Sequence, residues 1–118
     1  CIVASDLASH CDFFSFGTND LTQFTFGFSR DDAGKFLGDY QQHNILKQDV
    51  FMHIDQSAVG KIIESAIKSA KRVNPNLICG VCGEHAGDPE SISFFKKIGV
   101  DYVSCSSARL AIATFASC

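Results

Sequence analysis

The chain has 118 residues, the size of one domain, and its 46% hydrophobic and 19% charged residues match ordinary globular usage and exclude a chain disordered by composition. Ten Lys and Arg against 13 Asp and Glu give a net charge of −3, the wrong sign for a binder of nucleic acid or of an anionic membrane. No run of about 18 apolar residues occurs, so the sequence offers no membrane-spanning helix.

The chain begins at Cys1 rather than Met, and residues 1–10 lack a basic-then-apolar leader pattern, which reads as a piece of a longer chain. Ala116-Ser117-Cys118 matches no retention or peroxisomal signal. Residues 2–10 read as the tail of a helix. Residues 12–16 form a short apolar run ended by Gly17, the pattern of a buried strand. Residues 20–28 carry Leu21, Phe24, Phe26 and Phe28 and predict a short helix. Residues 29–55 are mixed in character and predict a long loop with a helical turn or two, a length that is usually functional. Within it, Arg30-Asp31-Asp32 reads as a solvated, self-paired stretch. The density of Phe13, Phe14, Phe16, Phe24, Phe26, Phe28 and Phe36 predicts an aromatic core cluster.

Residues 57–73 are the clearest helix, with Val59, Ile62, Ile63, Ala66, Ile67 and Ala70 at 3.6-residue spacing. Lys68, Lys71 and Arg72 crowd its last turn, where cations suit the helix dipole, and Asn74-Pro75-Asn76 stops it. Residues 77–82 predict a second strand. Asp88 followed by Pro89 predicts an N-cap and first helical position, opening a helix through Lys97 that Gly99 ends. Residues 100–105 predict a third strand, after which Ser106 or Ser107 caps a last helix through about Ala116.

Strands alternating with helices imply an α/β fold with parallel strands and right-handed crossovers. A sheet of three parallel strands leaves both edges unpaired, so a slice of a larger sheet or barrel fits better than a finished domain.

In α/β sheets and barrels, functional sites gather at the carboxyl ends of strands. Those ends are polar here: Gly17-Thr18-Asn19-Asp20, Cys82-Gly83-Glu84-His85, and Ser104-Cys105-Ser106-Ser107. The opposite loops, around Asn74-Pro75-Asn76 and Ile98-Gly99, are ordinary turns. Asn19 and Asp20 fit two readings. One is an N-cap for the following helix. The other makes Asp20 a hard oxygen ligand for Mg2+, with Gly17 admitting a ligand close to the backbone and the Thr18 and Asn19 N–H groups holding an anion.

Six cysteines in 118 residues are about 5%, below the roughly 8–10% of disulfide scaffolds. Cys79, Cys82 and Cys105 lie in apolar runs, which predicts free thiols in a reducing compartment. Cys79 and Cys82 could form half of a zinc site or a redox pair. The second ligand pair that zinc needs does not follow, and residues three apart on a strand face opposite sides. Cys82 is then either a core thiol or, beside Gly83 and Glu84 at a strand end, a general acid, since a thiol ordinarily keeps its proton at neutral pH. His10, His43 and His53 read as surface residues. His85 either belongs to the site or braces the loop.

Residues 12–32, with Gly17-Thr18-Asn19-Asp20-Leu21 and Phe28-Ser29-Arg30-Asp31-Asp32, closely resemble the signature of the pyruvate phosphate dikinase family. So do Cys82-Gly83-Glu84-His85-Ala86-Gly87 and Asp101-Tyr102-Val103-Ser104-Cys105-Ser106, in the same order and spacing over essentially the whole chain. The related phosphoenolpyruvate synthase and enzyme I of the sugar phosphotransferase system share Gly17-Thr18-Asn19-Asp20-Leu21 and Cys82-Gly83-Glu84. The stretch Phe28–Asp32 is more similar to the dikinase.

The resemblance implies that residues 1–118 are the C-terminal part, about strands six to eight with their helices, of a (β/α)8 barrel that binds phosphoenolpyruvate and pyruvate. It implies a parent that transfers a phosphoryl group between a phosphohistidine and pyruvate, interconverting ATP, phosphate and pyruvate with AMP, diphosphate and phosphoenolpyruvate. It matches Asn19 to the substrate-holding side chain, Asp20 to an Mg2+ ligand, Gly17 and Thr18 to backbone contacts with substrate, and Cys82 to the acid/base at the methylene carbon. Ser15 and Tyr102 match neighbours of that thiol, with Glu84 and His85 beside it in the motif.

The family's substrate arginines, its other Mg2+ carboxylate, and the nucleotide-binding and phosphohistidine domains have no counterpart here. Arg30 and Arg109 do not occupy the arginines' positions, and Ala86 stands where the family usually has Gly. The isolated chain is therefore expected to be inactive and to self-associate through its bare sheet edges. The parent is expected to be a homodimer in the cytoplasm or another reducing compartment, such as a plastid or glycosome. Rival readings are a phosphoenolpyruvate synthase fragment and a non-catalytic dimerisation module.

Overall fold

The computed structural model describes all 118 residues, and its elements follow the chain as α1 (Ala4–Ala8), β1 (Phe13–Gly17), α2 (Thr18–Phe26), α3 (Arg30–Ala33), α4 (Leu37–Gln42), α5 (Val59–Val73), β2 (Ile78–Cys82), α6 (Pro89–Lys97), β3 (Tyr102–Ser104) and α7 (Leu110–Ser117). Short 3-10 turns at Glu84–Gly87 and Ser107–Arg109 follow β2 and β3. The three strands lie parallel in the order β1-β2-β3. The fold is thus α/β, built by successive crossovers.

Strand alternation sorts the sheet into two faces. Phe14, Phe16, Cys79, Val81 and Val103 point toward the helices and join the main core. Phe13, Ser15, Gly17, Ile78, Tyr102 and Ser104 point the other way and are exposed. The molecule is therefore two layers thick, one sheet and one tier of helices, with extents of 44 × 32 × 21 Å.

Helix α5 supplies the main packing surface. Val59, Ile63, Ala66, Ile67 and Ala70 are buried along one stripe, against α1 and the covered face of the sheet. Each fully buried large side chain, such as Ile63 or Phe95, contributes about 1.5–3 kcal/mol. The start of α5 is capped from a distance: Asp55 Oδ2 accepts from the N–H of Ala58 at 2.7 Å and of Val59 at 3.2 Å, and Oδ1 accepts from Ser57 Oγ at 2.8 Å. Burial works to raise the Asp55 pKa, but these hydrogen bonds outweigh it and hold the carboxyl below the ordinary range. Asp88 caps α6 as the sequence predicts, accepting from Ser91 N at 2.9 Å with Pro89 next in line.

The foot of the sheet, its amino end, is tied together by side chains. Asp101 Oδ2 accepts from Cys79 N–H at 2.7 Å and from Lys71 Nζ at 2.9 Å. Asn74 Nδ2 donates to the carbonyls of Ala8 at 3.4 Å and Cys11 at 3.3 Å, joining the end of α5 to the entry of β1. Burial tends to raise the Asp101 pKa, but the bonds from Cys79 and Lys71 bring it below the usual value. Burial pushes the Cys79 thiol up.

Several expectations are corrected. The third strand is shorter than residues 100–105, because the Asp101 carboxylate takes the Cys79 N–H that the strand ladder would otherwise use. Helix α2 begins at Thr18, directly off β1 with Gly17 as its N-cap, so Asn19 and Asp20 lie inside its first turn and neither caps it. Residues 29–55 do hold two short helical stretches, α3 and α4, as expected, but these pack around a second small core of Ala33, Leu37, Val50 and Phe51. Phe26, Phe28 and Phe36 pack on that core, and Phe28 stands 5.2 Å from Phe36 and 6.0 Å from Phe51 between ring centroids.

The predicted single aromatic cluster is thus split between two cores, and Phe13 and Phe24 are 60% and 87% exposed because no element covers them. Ser29 caps α3, so Arg30-Asp31-Asp32 is helical; Asp32 pairs with Lys35, while Arg30 reaches away from the stretch. Neither Ser106 nor Ser107 caps α7, which starts after the intervening 3-10 turn. His10 and His43 are exposed as expected; His53 is half-buried, with Nδ1 3.2 Å from Asp88 Oδ1.

Candidate functional site

Register brings the polar strand ends together. Gly17 pairs with Cys82, and Cys82 with Ser104, so the three carboxyl ends form one level rim. One rung below, on the same face, Ser15 and Tyr102 flank Gly80. The Tyr102 ring lies directly over Gly80: a Cβ at that position would fall inside the ring.

Gly83 turns the chain out of β2 at φ +112°, a conformation that favours glycine. A Cβ there would also come within 2.8 Å of Thr18 Oγ1 and 3.1 Å of Asn19 Oδ1. This close approach lets the first turn of α2 lock onto the Glu84–Gly87 turn. Asn19 Oδ1 accepts from Glu84 N–H at 3.2 Å, and Thr18 Oγ1 lies 3.0 Å from the Cys82 carbonyl oxygen. Thr18 itself is fully buried.

His85 is also fully buried, with Nδ1 2.8 Å from Thr18 Oγ1 and Nε2 2.8 Å from the Val50 carbonyl oxygen. Burial lowers its pKa below the ordinary imidazole value, against the opposing influence of the Val50 carbonyl and of Asp88, Asp49 and Glu84. Of its two readings, the structure favours the brace: His85 lies beneath the rim rather than on it.

Cys82 is partly exposed, and its thiol has one neighbour at hydrogen-bonding range, the Phe16 carbonyl oxygen at 3.7 Å. Cys79, three residues earlier, is fully buried on the opposite face, so the two sulfurs do not converge. Ser15 and Tyr102 share the face of Cys82 but make no hydrogen bond to it.

Asp20 is exposed. Its Oδ1 accepts from Gln23 Nε2 at 3.2 Å, and Oδ2 carries no hydrogen bond. One hard oxygen therefore stands free at the rim, the minimum a Mg2+ ion asks of a protein when substrate and water fill its other positions. The donor set fits such an ion at a single point.

Two rim residues escape sequence reasoning. Gln23 Oε1 accepts from Arg30 N–H at 2.8 Å while its amide holds Asp20, and the Arg30 guanidinium lies 3.3 Å from Glu84 Oε1. With Glu84 N–H on Asn19, these contacts join Asp20, Gln23, Arg30, Glu84 and Asn19 in a ring, closed by the Asn19–Asp20 peptide, across the ends of β1 and β2. Gln23 is signalled by its spacing of three from Asp20 on a helix. Arg30 and Glu84 are 54 positions apart, and no local pattern links them. Arg109 stays outside the ring, its stem packed over Gly87.

Comparison with known proteins gives a consistent result. Residues 1–116 match the family described as PEP-utilising enzyme, PEP-binding domain. The chain is 53% identical over 116 residues to pyruvate, phosphate dikinase of Clostridium symbiosum, covering 98% of this chain and 13% of that protein. It is 53% identical to the chloroplastic pyruvate, phosphate dikinase of Flaveria bidentis and 51% identical to pyruvate, phosphate dikinase 2 of Zea mays, each over 98% of this chain and 12% and 13% of those proteins. The chain thus spans about an eighth of the length of these curated relatives.

Proposed function

The chain belongs to the PEP-utilising enzymes through their PEP-binding domain, and from that premise we propose that its rim is part of a site where pyruvate and phosphoenolpyruvate (PEP) are interconverted. The observation that carries the reading is the register of Gly17 with Cys82, which sets an amide, a carboxylate and a thiol on one edge of one sheet. The open face, with Phe13, Ile78 and Tyr102 exposed, is the interior of a (β/α)8 barrel whose other strands lie outside residues 1–118.

In this reading Asn19 holds the substrate with its amide, and the Gly17 and Thr18 backbone approaches the same molecule. Asp20 would hold Mg2+ through its free oxygen, and the ion when bound supplies positive charge for the carboxylate, the enolate oxygen and the phosphoryl group. In the direction of pyruvate formation, the phosphorus–oxygen bond of PEP breaks and the phosphoryl group passes to a histidine of another domain. The enolate that remains takes the Cys82 proton at its methylene carbon, which gives the methyl group of pyruvate and a thiolate. The reverse direction begins with that thiolate removing a methyl proton. Glu84, locked by Arg30 and Asn19, keeps the turn after Cys82 in place, and Ser15 and Tyr102 shape the floor one rung below.

The reaction of the whole protein is then the dikinase reaction, with ATP and phosphate as co-substrates, a nucleotide-binding domain and a mobile phosphohistidine domain as partners within the chain, and a homodimer as its assembly. No helix is long and apolar enough to cross a membrane. The compartment this reading calls for is the cytoplasm or another reducing one, such as a plastid or glycosome. In this reading turnover needs the other barrel strands, so residues 1–118 by themselves are expected not to turn over.

The test is to express the complete protein and follow phosphate-dependent PEP formation from ATP and pyruvate. Turnover with diphosphate release is expected, and Cys82→Ala is expected to lower kcat by about 10²–10⁴-fold without changing the thermal midpoint. PEP formation without phosphate consumption would point to a synthase, and full activity of Cys82→Ala would remove the thiol from the mechanism.

A further inference from the structure

The hydrogen bonds around Thr18 cannot all be satisfied at once by a neutral imidazole. The Val50 carbonyl only accepts, so His85 Nε2 carries a proton. With the ring neutral, Nδ1 is then bare and also accepts. Its partner at 2.8 Å is the Thr18 hydroxyl, whose other neighbour is the Cys82 carbonyl oxygen at 3.0 Å. One hydroxyl proton thus serves two acceptors, both buried under the rim. A Cβ on Gly83 would come within 2.8 Å of the same Thr18 hydroxyl oxygen, so the position admits nothing larger than glycine.

The Thr18 hydroxyl therefore links His85 to the Cys82–Gly83 peptide, next to the Cα that carries the partly exposed thiol. The thiol's own neighbour is the Phe16 carbonyl, two residues before Thr18. On its far side His85 is fixed by Val50, a member of the small core of Ala33, Leu37, Val50 and Phe51 within residues 29–55. A continuous path runs from that core through Val50, His85 and Thr18 to Cys82.

We propose that His85 is a positioning residue that sets the orientation of the Cys82 thiol through the Thr18 hydroxyl, with the small core of residues 29–55 serving as its mount. The inference rests on Cys82 being the reactive group at the rim, as proposed above, but it makes a claim about the thiol that holds with or without turnover.

The experiment uses the complete protein and reads the alkylation rate of Cys82 by iodoacetamide, resolved from the other cysteines by peptide mass spectrometry. Thr18→Val, nearly isosteric, and His85→Gln, which can replace only the Nε2 contact, are each expected to change the Cys82 rate by about threefold or more. Thr18→Ser and His85→Asn, whose carbonyl can stand in for Nδ1, are expected to stay close to wild type. The Thr18→Val/His85→Gln double variant is expected to match the stronger single variant rather than the product of the two. In turnover, the same single variants are expected to lower kcat about tenfold or more with KM for pyruvate unchanged.

A Cys82 rate unmoved by both Thr18→Val and His85→Gln, or multiplicative effects in the double variant, overturns the proposal. So does retention of the wild-type rate by His85→Gln together with its loss in His85→Asn, which would make Val50 the contact that matters. Failure of the catalytic reading alone leaves a different signature: no turnover in the wild type, with the alkylation pattern intact.

Discussion

At the foot of the sheet the Asp101 carboxylate accepts from Cys79 N–H and from the Lys71 ammonium through both oxygens, whereas at the rim the Asp20 carboxylate keeps one oxygen unbonded. The same contrast holds for other groups. Asn74 at the foot spans two carbonyls with its amide, while Asn19 at the rim engages only its carbonyl oxygen and leaves its amide hydrogens free. Among these four side chains, the two at the foot spend their hydrogen-bonding capacity on the fold, and the two at the rim keep part of theirs free.

That contrast can be broken from either end. The largest effect is expected from Gly83→Ala, which forces a side chain into a backbone conformation at φ +112° and against Thr18 Oγ1. It should cost about 1–3 kcal/mol and disturb the Asn19–Glu84 contact, seen as a lower denaturation midpoint together with faster Cys82 alkylation. Asp101→Ala removes the partner of the Cys79 N–H and of Lys71. It should cost about 1–2 kcal/mol, given that the ion pair itself is half-exposed, while the Cys82 alkylation rate stays at the wild-type value. A rim that responded to Asp101→Ala as it does to Gly83→Ala would erase the distinction.

Acid should separate the ends in a defined order. His85 binds its proton less readily when folded than the ordinary value of 6.5, so below about pH 6.5 the unfolded chain takes up protons that the folded one refuses. Stability contributed by the neutral ring is complete above that pH and declines as the pH falls through the depressed folded value. Asp55, Asp88 and Asp101 are held below their ordinary 3.8, so their contribution is complete above about pH 4 and is lost only further down. Hydrogen exchange should therefore quicken first around residues 83–88 and only later around Cys79 and Asp101. The smallest effect is expected from Arg30→Gln, since both partners of its pair with Glu84 are about half exposed. A loss below about 1 kcal/mol, shrinking further in high salt, would mark that contact as an orienting one.

The sequence makes the frame readable and leaves the wiring hidden. Helix α5 announces itself by the stripe from Val59 to Ala70 and the cations at its end, and α6 by Asp88-Pro89. The strands appear as short apolar runs between helices, and the rim as three polar strand ends. Helices α3 and α4 are obscured because their apolar side chains serve a separate small core with no periodicity of its own. The fate of His85 is not legible either. It sits between Glu84 and Ala86 in a polar motif, yet it is buried by a partner 35 positions away, Val50, and another 67 away, Thr18. Phe13 and Phe24 mislead in the opposite sense. Their apolar character predicts a core, and the structure leaves them bare on surfaces that no element of these 118 residues covers.

The Tyr102 ring seated over Gly80 bears on how faithfully the sheet assembles. Strand β3 has only three residues, and so short a ladder resists sliding weakly. A missing side chain on one strand and a large ring on its neighbour act together as a pawl and notch. Displacing β3 by two residues in either direction lifts the aromatic out, leaves an empty slot, and carries Ser104 away from the level of Cys82. The alignment of the β2 and β3 ends is thereby decided one rung below the rim, before any ligand arrives.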